Sequence, residues 1–191
     1  MINSERIVKI VLFLASFIVI IITAGMVLSL TNGSIPVFKE FGLRFIISSV
    51  WNPTQGREEY GALPFIAGTV MTSVIAIVLC FPLAFSTSLF IGEYYRGTRI
   101  AAIIGTMVDM LAGIPSIVYG LWGFYVLRPL IVDLGLSSQG FSIFTAGVVL
   151  AIMIIPYATS LSTEIIAMVR PELKEAAYSL GATKLEVIRN V

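Results

Sequence analysis

The chain has 191 residues, of which 58% are hydrophobic and 12% are charged, about half of the quarter that is usual in soluble domains. A soluble globule of this length has too little interior for so many apolar side chains, so the composition predicts an integral membrane protein and excludes disorder and nucleic-acid binding. The net charge is +1, the single cysteine excludes a disulfide scaffold, and the absence of histidine excludes Ser-His and Cys-His catalysis and histidine-ligated metal sites.

Four apolar stretches are long enough to cross about 30 Å of hydrocarbon, and only helices can do so with every backbone group paired. The predicted spans are Ile10–Leu30, Phe65–Ile91, Ile100–Leu127 and Ile143–Val169. The first is too long for the apolar region of a cleaved signal peptide and is interpreted as a signal anchor. The predicted organisation is a tail and anchor helix over 1–31, a loop over 32–64 and a transmembrane domain over 65–191.

The distribution of lysine and arginine orients the predicted spans. Eight of the twelve lie in the N-terminal tail, in the turn after the second span and in the C-terminal tail, and four lie in the other two loops. This bias predicts a multi-pass protein of the cytoplasmic membrane with both termini in the cytoplasm. The 32–64 loop is then extracytoplasmic.

The third span contains residues that are unusual in a membrane helix. Gly113, Pro115 and Ser116 fall near its middle. A break at the proline would leave backbone N–H groups of a half-helix at mid-membrane, where they attract anions. Simple kinks in packed bundles are nearly as common as functional breaks, so the proline alone favours transport only weakly.

Two acids and one arginine are further candidates for a translocation path. Asp109 in the third span and Glu164 in the fourth are ionisable groups of the kind that pair inside a bundle or mark a pathway. Glu164 is also close enough to the cytoplasmic boundary to reach interfacial water. Arg170 follows the fourth span and is interpreted either as a cation at the exit, paired with Glu164 or Glu175, or as a positive-inside anchor.

The polar segment over 170–191 has the pattern of two short helices joined by a sharp turn. Pro171 suits the first turn of a helix, and Gly181 stands where a residue with positive φ would end that helix. Thr183 and Glu186 have the spacing of a capping box that opens a second helix. The apolar stripe of the first helix consists of Leu173, Ala176, Ala177 and Leu180. A stripe without large lipid anchors favours docking into the groove of a partner over lying on the membrane.

Part of this segment resembles a known motif. Glu175, Ala176, Ala177 and Gly181 match the EAA loop of ABC-importer permeases, E-A-A-x3-G-x9-I-x-L-P, with Val191 at the place of the isoleucine. Together with the runs YGALP at 60–64, LAGIPSIVYGLWG at 111–123 and AIMIIP at 151–156, it makes the chain similar to the PstC-type permeases of phosphate importers. The resemblance covers essentially the whole chain, most clearly from Trp51 onward.

The resemblance implies an all-α polytopic bundle with the MetI-like fold and six spans, of which this chain holds four. We therefore expect a C-terminally truncated permease domain. The implied partners are a PstA-like permease, two ATPase subunits that bind ATP and Mg²⁺, an extracytoplasmic phosphate-binding protein and membrane lipid. The implied contact with an ATPase is made by Glu175, Ala176, Ala177, Leu180 and Gly181.

The resemblance further implies that phosphate passes beside the third span, near Gly113, Pro115 and Ser116. Asp109 would repel the anion there unless it is paired with a cation. No G-x-x-x-x-G-K-[ST] phosphate loop is present, so we expect a transport subunit that is not an enzyme and holds no cofactor or metal of its own. Two alternatives stay open: a permease for another oxyanion or small solute, and a membrane adaptor that senses phosphate.

Overall fold

A computed structural model describes residues 4–190, and helices account for most of them. The chain divides into two units, Met1–Ile66 and Ala67–Val191, with the boundary inside the third helix. The first unit contains α1 (Ser4–Phe41), α2 (Arg44–Ile47) and a short antiparallel hairpin of β1 (Trp51–Asn52) and β2 (Glu59–Tyr60). Trp51 pairs with Tyr60 in the hairpin, and their rings meet edge to face at 5.0 Å.

The helix that contains the predicted first span is longer than that span. It continues from Ile10–Leu30 to Phe41 and so includes the first part of the predicted 32–64 loop. Thr31 and Ser34 supply the reason, since their hydroxyl groups donate to the carbonyl oxygens of Val27 and Thr31 at 2.8 and 2.9 Å. These polar side chains are satisfied by the backbone of their own helix, so they do not end it.

The second unit is built from helices. The next helix, α3 (Leu63–Leu89), begins before the boundary and continues directly into a π-helix, π1 (Phe90–Tyr94). The elements that follow are α4 (Arg99–Ala112), α5 (Ser116–Trp122), π2 (Gly123–Leu127), α6 (Arg128–Asp133), α7 (Ile143–Met168), α8 (Pro171–Ser179) and α9 (Lys184–Asn190). Pro82 and Pro156 lie inside α3 and α7 without breaking them, whereas Pro115 lies between two helices.

Within residues 4–190, three helices are long and apolar enough to cross a membrane without a break: α1, α3 with π1, and α7. The predicted third span is divided into α4 and the helical run from Ser116 to Asp133, which meet at an angle of 90°. At 1.5 Å per residue, the 14 residues of α4 extend about 21 Å, less than the hydrocarbon thickness. The predicted all-α membrane fold is confirmed, with three or four spans according to whether the bent pair is one broken span or a re-entrant loop.

Small residues hold the helices of the second unit together. Ala76 on α3 and Ala151 on α7 are buried. A Cβ atom built on Gly147 of α7 would lie 2.6 Å from Cγ2 of Ile75, and one built on Gly123 of π2 would lie 2.5 Å from Cγ2 of Val149. Close backbone approach of this kind is how helices associate in lipid, where no hydrophobic difference drives them together.

Candidate functional site

The segment from α8 to α9 has the local structure that its sequence predicts. Pro171 is the first residue of α8, and Gly181 has a φ of +84°. The N–H of Gly181 donates to the carbonyl of Tyr178 at 2.9 Å, and the N–H of Ala182 donates to that of Ala177 at 3.1 Å. These two hydrogen bonds form a Schellman motif, which ends the helix sharply and turns the chain.

The second helix of the segment opens on the predicted capping box. The N–H of Thr183 donates to Oε2 of Glu186 at 2.7 Å, and the N–H of Glu186 donates to Oγ1 of Thr183 at 3.4 Å. The hydroxyl of Thr183 also donates to the same carboxylate oxygen at 2.8 Å. Hydrogen bonds from the backbone N–H and then from the hydroxyl of Thr183 lower the pKa of Glu186.

This cap predicts a pH dependence that Thr183→Ala should weaken. Because the pKa of Glu186 is lowered in the folded state, the cap stabilises α9 above the ordinary glutamate range, and that stabilisation is lost as the pH falls through the lowered pKa. Thr183→Ala removes one donor, so we expect the pKa to rise toward its ordinary value. Carboxyl-carbon NMR of the full chain in detergent micelles measures it. Thr183→Ser, which keeps the hydroxyl, should titrate as wild type. An unchanged pKa in Thr183→Ala would exclude the hydrogen bond from the Thr183 hydroxyl to the carboxylate.

The α8–α9 segment is attached to the helical bundle by one ion pair, one cation–π contact and one buried side chain. Lys174 on α8 forms an ion pair with Glu93 on π1. The ammonium group of Lys184 lies 4.3 Å from the ring centre of Tyr94. Val187 on α9 is only 2% exposed. The segment is therefore docked onto the end of the bundle where α3 and π1 finish.

The outer side of the segment is exposed. Leu180 is 90% exposed, Leu173 is about half exposed, and Glu175 and Ala176 are also exposed, whereas Ala177 is partly covered. The structure thus brings the predicted coupling residues together on one short helix and its turn, and leaves most of them accessible. A fixed inner side and an accessible apolar outer side are the arrangement that helix-in-groove docking requires.

The break in the third span is stabilised by a hydrogen bond across it. Gly113 ends α4, Pro115 is extended with ψ of 140°, and Ser116 begins α5. The hydroxyl of Tyr119 on α5 donates to the carbonyl of Leu111 on α4 at 2.8 Å. The same carbonyl also accepts from the backbone N–H of Ile114 at 3.1 Å, so the carbonyl that loses its helical donor at Pro115 is paired twice at the 90° bend.

The two acids of the predicted path line the same cavity. Asp109 on α4 accepts a hydrogen bond of 2.9 Å from the hydroxyl of Ser160 on α7. Asp109 and Ser160 line a small cavity of about 130 Å³ together with Thr163 and Glu164. Within residues 4–190 no cation pairs with either acid. Arg170 is exposed and forms no ion pair there, so of its two interpretations the pairing with Glu164 or Glu175 is not formed. In the same range, no group of three acidic, cysteine or histidine side chains is arranged to hold a metal ion.

A larger cavity of about 560 Å³ lies on the other side of the break and contains Ser116. Arg128 is the charged side chain in its lining, and its guanidinium lies 4.1 Å from the ring centre of Phe141 and 5.4 Å from that of Phe124. Its Nε donates to the carbonyl of Gln139 at 2.9 Å. From the sequence, Arg128 was counted only as a positive charge in a loop. Its position directly after an apolar run could have identified it as a candidate, because a cation there needs a partner.

Comparison with known proteins connects this geometry to a family. The model of the family described as "Binding-protein-dependent transport system inner membrane component" matches residues 84–191, more than half of the chain. The chain belongs to this family. Every predicted path and coupling residue lies inside the matched region, as do Glu93, Arg128 and Lys174. The family description, with the long apolar helices, places the chain in the inner membrane as a multi-pass protein.

Several curated proteins that are similar to this chain are named for phosphate transport. The chain is 38% identical to the phosphate transport system permease protein PstC of Haemophilus influenzae, over 93% of this chain and 62% of that protein. It is 38% identical to PstC of Mesorhizobium japonicum, over 93% and 59%, and 36% identical to PstC of Xylella fastidiosa, over 99% and 63%. The chain thus spans about three fifths of the length of these relatives. No solved structure matches it.

Two candidate functional residues of this chain were not identified from the sequence. Glu93 was not considered, and Lys174 was counted only as a positive charge on the cytoplasmic side. Glu93 is the last acidic residue before the turn that follows the second apolar stretch, a position where an ionisable group is expected to pair. That signal was available, but the identity of its partner was not.

Proposed function

We propose that this chain is part of the permease subunit of an ATP-driven importer that moves inorganic phosphate across the inner membrane. Near-complete coverage of the chain by relatives named as phosphate transport permeases carries the proposal. The exposed outer side of α8 supports it, because a docked helix with a free apolar side can receive force from a partner. The charge bias supports cytoplasmic termini.

The proposed assembly contains a PstA-like permease, two ATPase subunits and an extracytoplasmic phosphate-binding protein. The ATPases hold ATP and Mg²⁺ and hydrolyse the nucleotide, while this chain supplies a path and a coupling segment. Closure of the ATPases moves α8 and α9, and these helices carry the movement to the membrane helices. The chain itself is a transport subunit and not an enzyme.

Phosphate is proposed to pass beside the bend of the third span. A divalent anion leaving water needs fixed donors and positive charge, and small residues allow the backbone to approach it. Ser116 and the Arg128 guanidinium line one cavity there, and no carboxylate does. Asp109 lies in the separate cavity beside Ser160, so it does not face the anion in the Arg128 cavity.

Complementation tests the function. A strain that lacks phosphate uptake is given the full-length gene, and uptake of radiolabelled phosphate is measured with and without an excess of unlabelled sulfate. We expect unlabelled phosphate to reduce the uptake of radiolabelled phosphate, and unlabelled sulfate to leave it unchanged. If sulfate or another oxyanion is transported instead, the proposed substrate is wrong. If the gene restores phosphate signalling without uptake, the protein is an adaptor.

Bulky substitutions at the bend test the path. We expect Gly113→Leu and Ser116→Leu to lose most phosphate uptake while the subunit still inserts. A Cβ atom on Gly113 meets its nearest neighbour, the carbonyl oxygen of Met110, at 3.4 Å, and the amount of inserted subunit is measured beside uptake to separate misfolding from a blocked path. Gly25→Leu, at a position on α1 where an added Cβ meets nothing within 4 Å, is the control and should transport normally. Normal uptake in both bend variants would exclude this path.

A further inference from the structure

The ion pair between Glu93 and Lys174 differs from the other ion pair of residues 4–190 in its burial and in the distance along the chain between its partners. It joins side chains 81 positions apart in the chain, and these are only 11% and 15% exposed. The other pair, Lys9 with Glu5, lies within α1, and its side chains are 72% and 74% exposed. Exposed pairs of that kind contribute little. A covered pair is different, because loss of one partner leaves the other charge buried and uncompensated.

The covalent connection from α7 to α8 is not a continuous helix. Val169 and Arg170 are both extended, with ψ of 121° and 133°. Two extended residues between helices allow the second helix to change its angle without moving the first. Contacts between side chains must therefore transmit a movement of α8 to the bundle.

Contacts from the end of the bundle surround the ion pair. Leu89, Ile166 and Val187 line a small cavity of about 80 Å³ together with Glu93 and Lys174. Gly92, next to Glu93, is buried, and a Cβ atom built on it would lie 3.2 Å from Cγ2 of Ile166 on α7. The π1 turn that carries Glu93 is thus packed against α7. A force on Lys174 reaches both α3, which continues into π1, and α7, which packs on it.

We propose that Glu93 and Lys174 are positioning residues of transport, and that their ion pair links the α8–α9 segment to α3 and α7. The inference rests on the proposed function as an ATP-driven permease. Lys174 lies on the partly covered side of α8, while Glu175 and Leu180 are exposed. The segment therefore has one side for the partner that supplies force and another for the helices that receive it.

A double-mutant cycle in the assembled transporter tests this link. The variants Glu93→Gln, Lys174→Gln and the double variant are made in the full-length subunit. Phosphate uptake and ATP hydrolysis, basal and stimulated by the phosphate-binding protein, are measured in proteoliposomes. We expect each single variant to retain the ATPases on purification and to lose uptake and stimulated hydrolysis by roughly tenfold, the scale at which mutations along a coupling network act. The double variant should lose no more than either single variant, because one shared interaction is removed.

Two controls separate this role from a merely structural one. Glu5→Gln breaks the exposed pair on α1 and should couple as wild type, and Lys174→Arg keeps the cation and should retain more stimulated hydrolysis than Lys174→Gln. Any of three results would overturn the inference. Lys174→Gln could couple as wild type, the losses could add in the double variant, or Lys174→Arg could retain no more stimulated hydrolysis than Lys174→Gln. A single variant that loses the ATPases on purification would overturn it too. If the unmodified transporter does not take up phosphate, the proposed function itself is wrong.

Discussion

Gly181→Val is expected to insert into the membrane normally and to abolish phosphate uptake by the proposed transporter. The φ of Gly181 is +84°, in the left-handed region that a β-branched residue strongly disfavours. Alanine should cost on the order of 1 kcal/mol there, and valine more. This is small beside membrane insertion, but the Schellman motif sets the angle between α8 and α9. Valine would therefore change this angle and misalign the segment with the groove of the proposed ATPase partner.

Three measurements on the full-length Gly181 variants check this expectation: phosphate uptake, retention of the ATPases on purification, and stimulated ATP hydrolysis. Gly181→Asn is the matched control, because asparagine adopts the left-handed conformation at much lower cost and should keep most activity. A Cβ atom added at Gly181 meets no atom within 4 Å, so a steric clash does not confound the series. If Gly181→Val retains all three properties, α8 and its turn do not couple the chain to an ATPase.

Gly147→Val is expected to destabilise the packing of α7 on α3. A Cβ atom at this position would lie 2.6 and 2.8 Å from side-chain carbons of Ile75 and 3.3 Å from the carbonyl oxygen of Thr72. The Ile75 side chain can move only partly, and the Thr72 backbone cannot move without displacing α3. Overpacking of a dense interface typically costs about 1–3 kcal/mol. We expect a lower midpoint of thermal unfolding in detergent, with alanine showing a smaller shift than valine.

The control for the Gly147 series lies on α3. Gly68→Val adds the same β-branched side chain to a helical position where a new Cβ meets nothing within 4 Å. It should change the midpoint little, since it removes a glycine from a helix without creating a contact. Equal midpoints for Gly147→Val and Gly68→Val would show that α3 and α7 do not approach at Gly147 as closely as the structure indicates.

The two series separate assembly from coupling. Gly147 lies in the interface between membrane helices, and its substitution should reduce both stability and transport. Gly181 lies outside that interface, and its substitution should reduce transport without a comparable change in the unfolding midpoint. A variant of Gly181 that unfolds early would place the turn among the residues that stabilise the bundle.

The sequence by itself determined the features that depend on neighbouring residues. The apolar stretches predicted a helical membrane protein because hydrocarbon leaves a chain few other ways to pair its backbone. Pro171, Gly181, Thr183 and Glu186 predicted the helix, turn and capped helix of the coupling segment. The hydrogen bonds that decide this segment join residues at most five positions apart, so the pattern contains all the information needed.

The local sequence did not predict the helix ends where a polar group can be hydrogen-bonded in more than one way. The charge-free apolar run ends at Leu30, yet α1 continues to Phe41, and the Thr31 hydroxyl bonds to a carbonyl of its own helix. Pro115 indicated a break in the third span, and the second span also contains a proline, Pro82. Of these two, only Pro115 separates helices. Gly113 ends α4 beside it, and the carbonyl of Leu111 accepts from the N–H of Ile114 and from the hydroxyl of Tyr119 instead of from a residue 115 donor.

Tertiary structure alone decided which side chains from different helices meet. Glu93 pairs with Lys174 across 81 positions, and Ser160 with Asp109 across 51. Membrane helices of similar apolar composition can rotate and slide against one another, and spacing along the chain does not record the register that they adopt. That register is set by close contacts such as Gly147 on Ile75 and Gly92 on Ile166, which form only when the helices are packed. The ion pair that links the coupling segment to the bundle therefore became visible only in the folded chain.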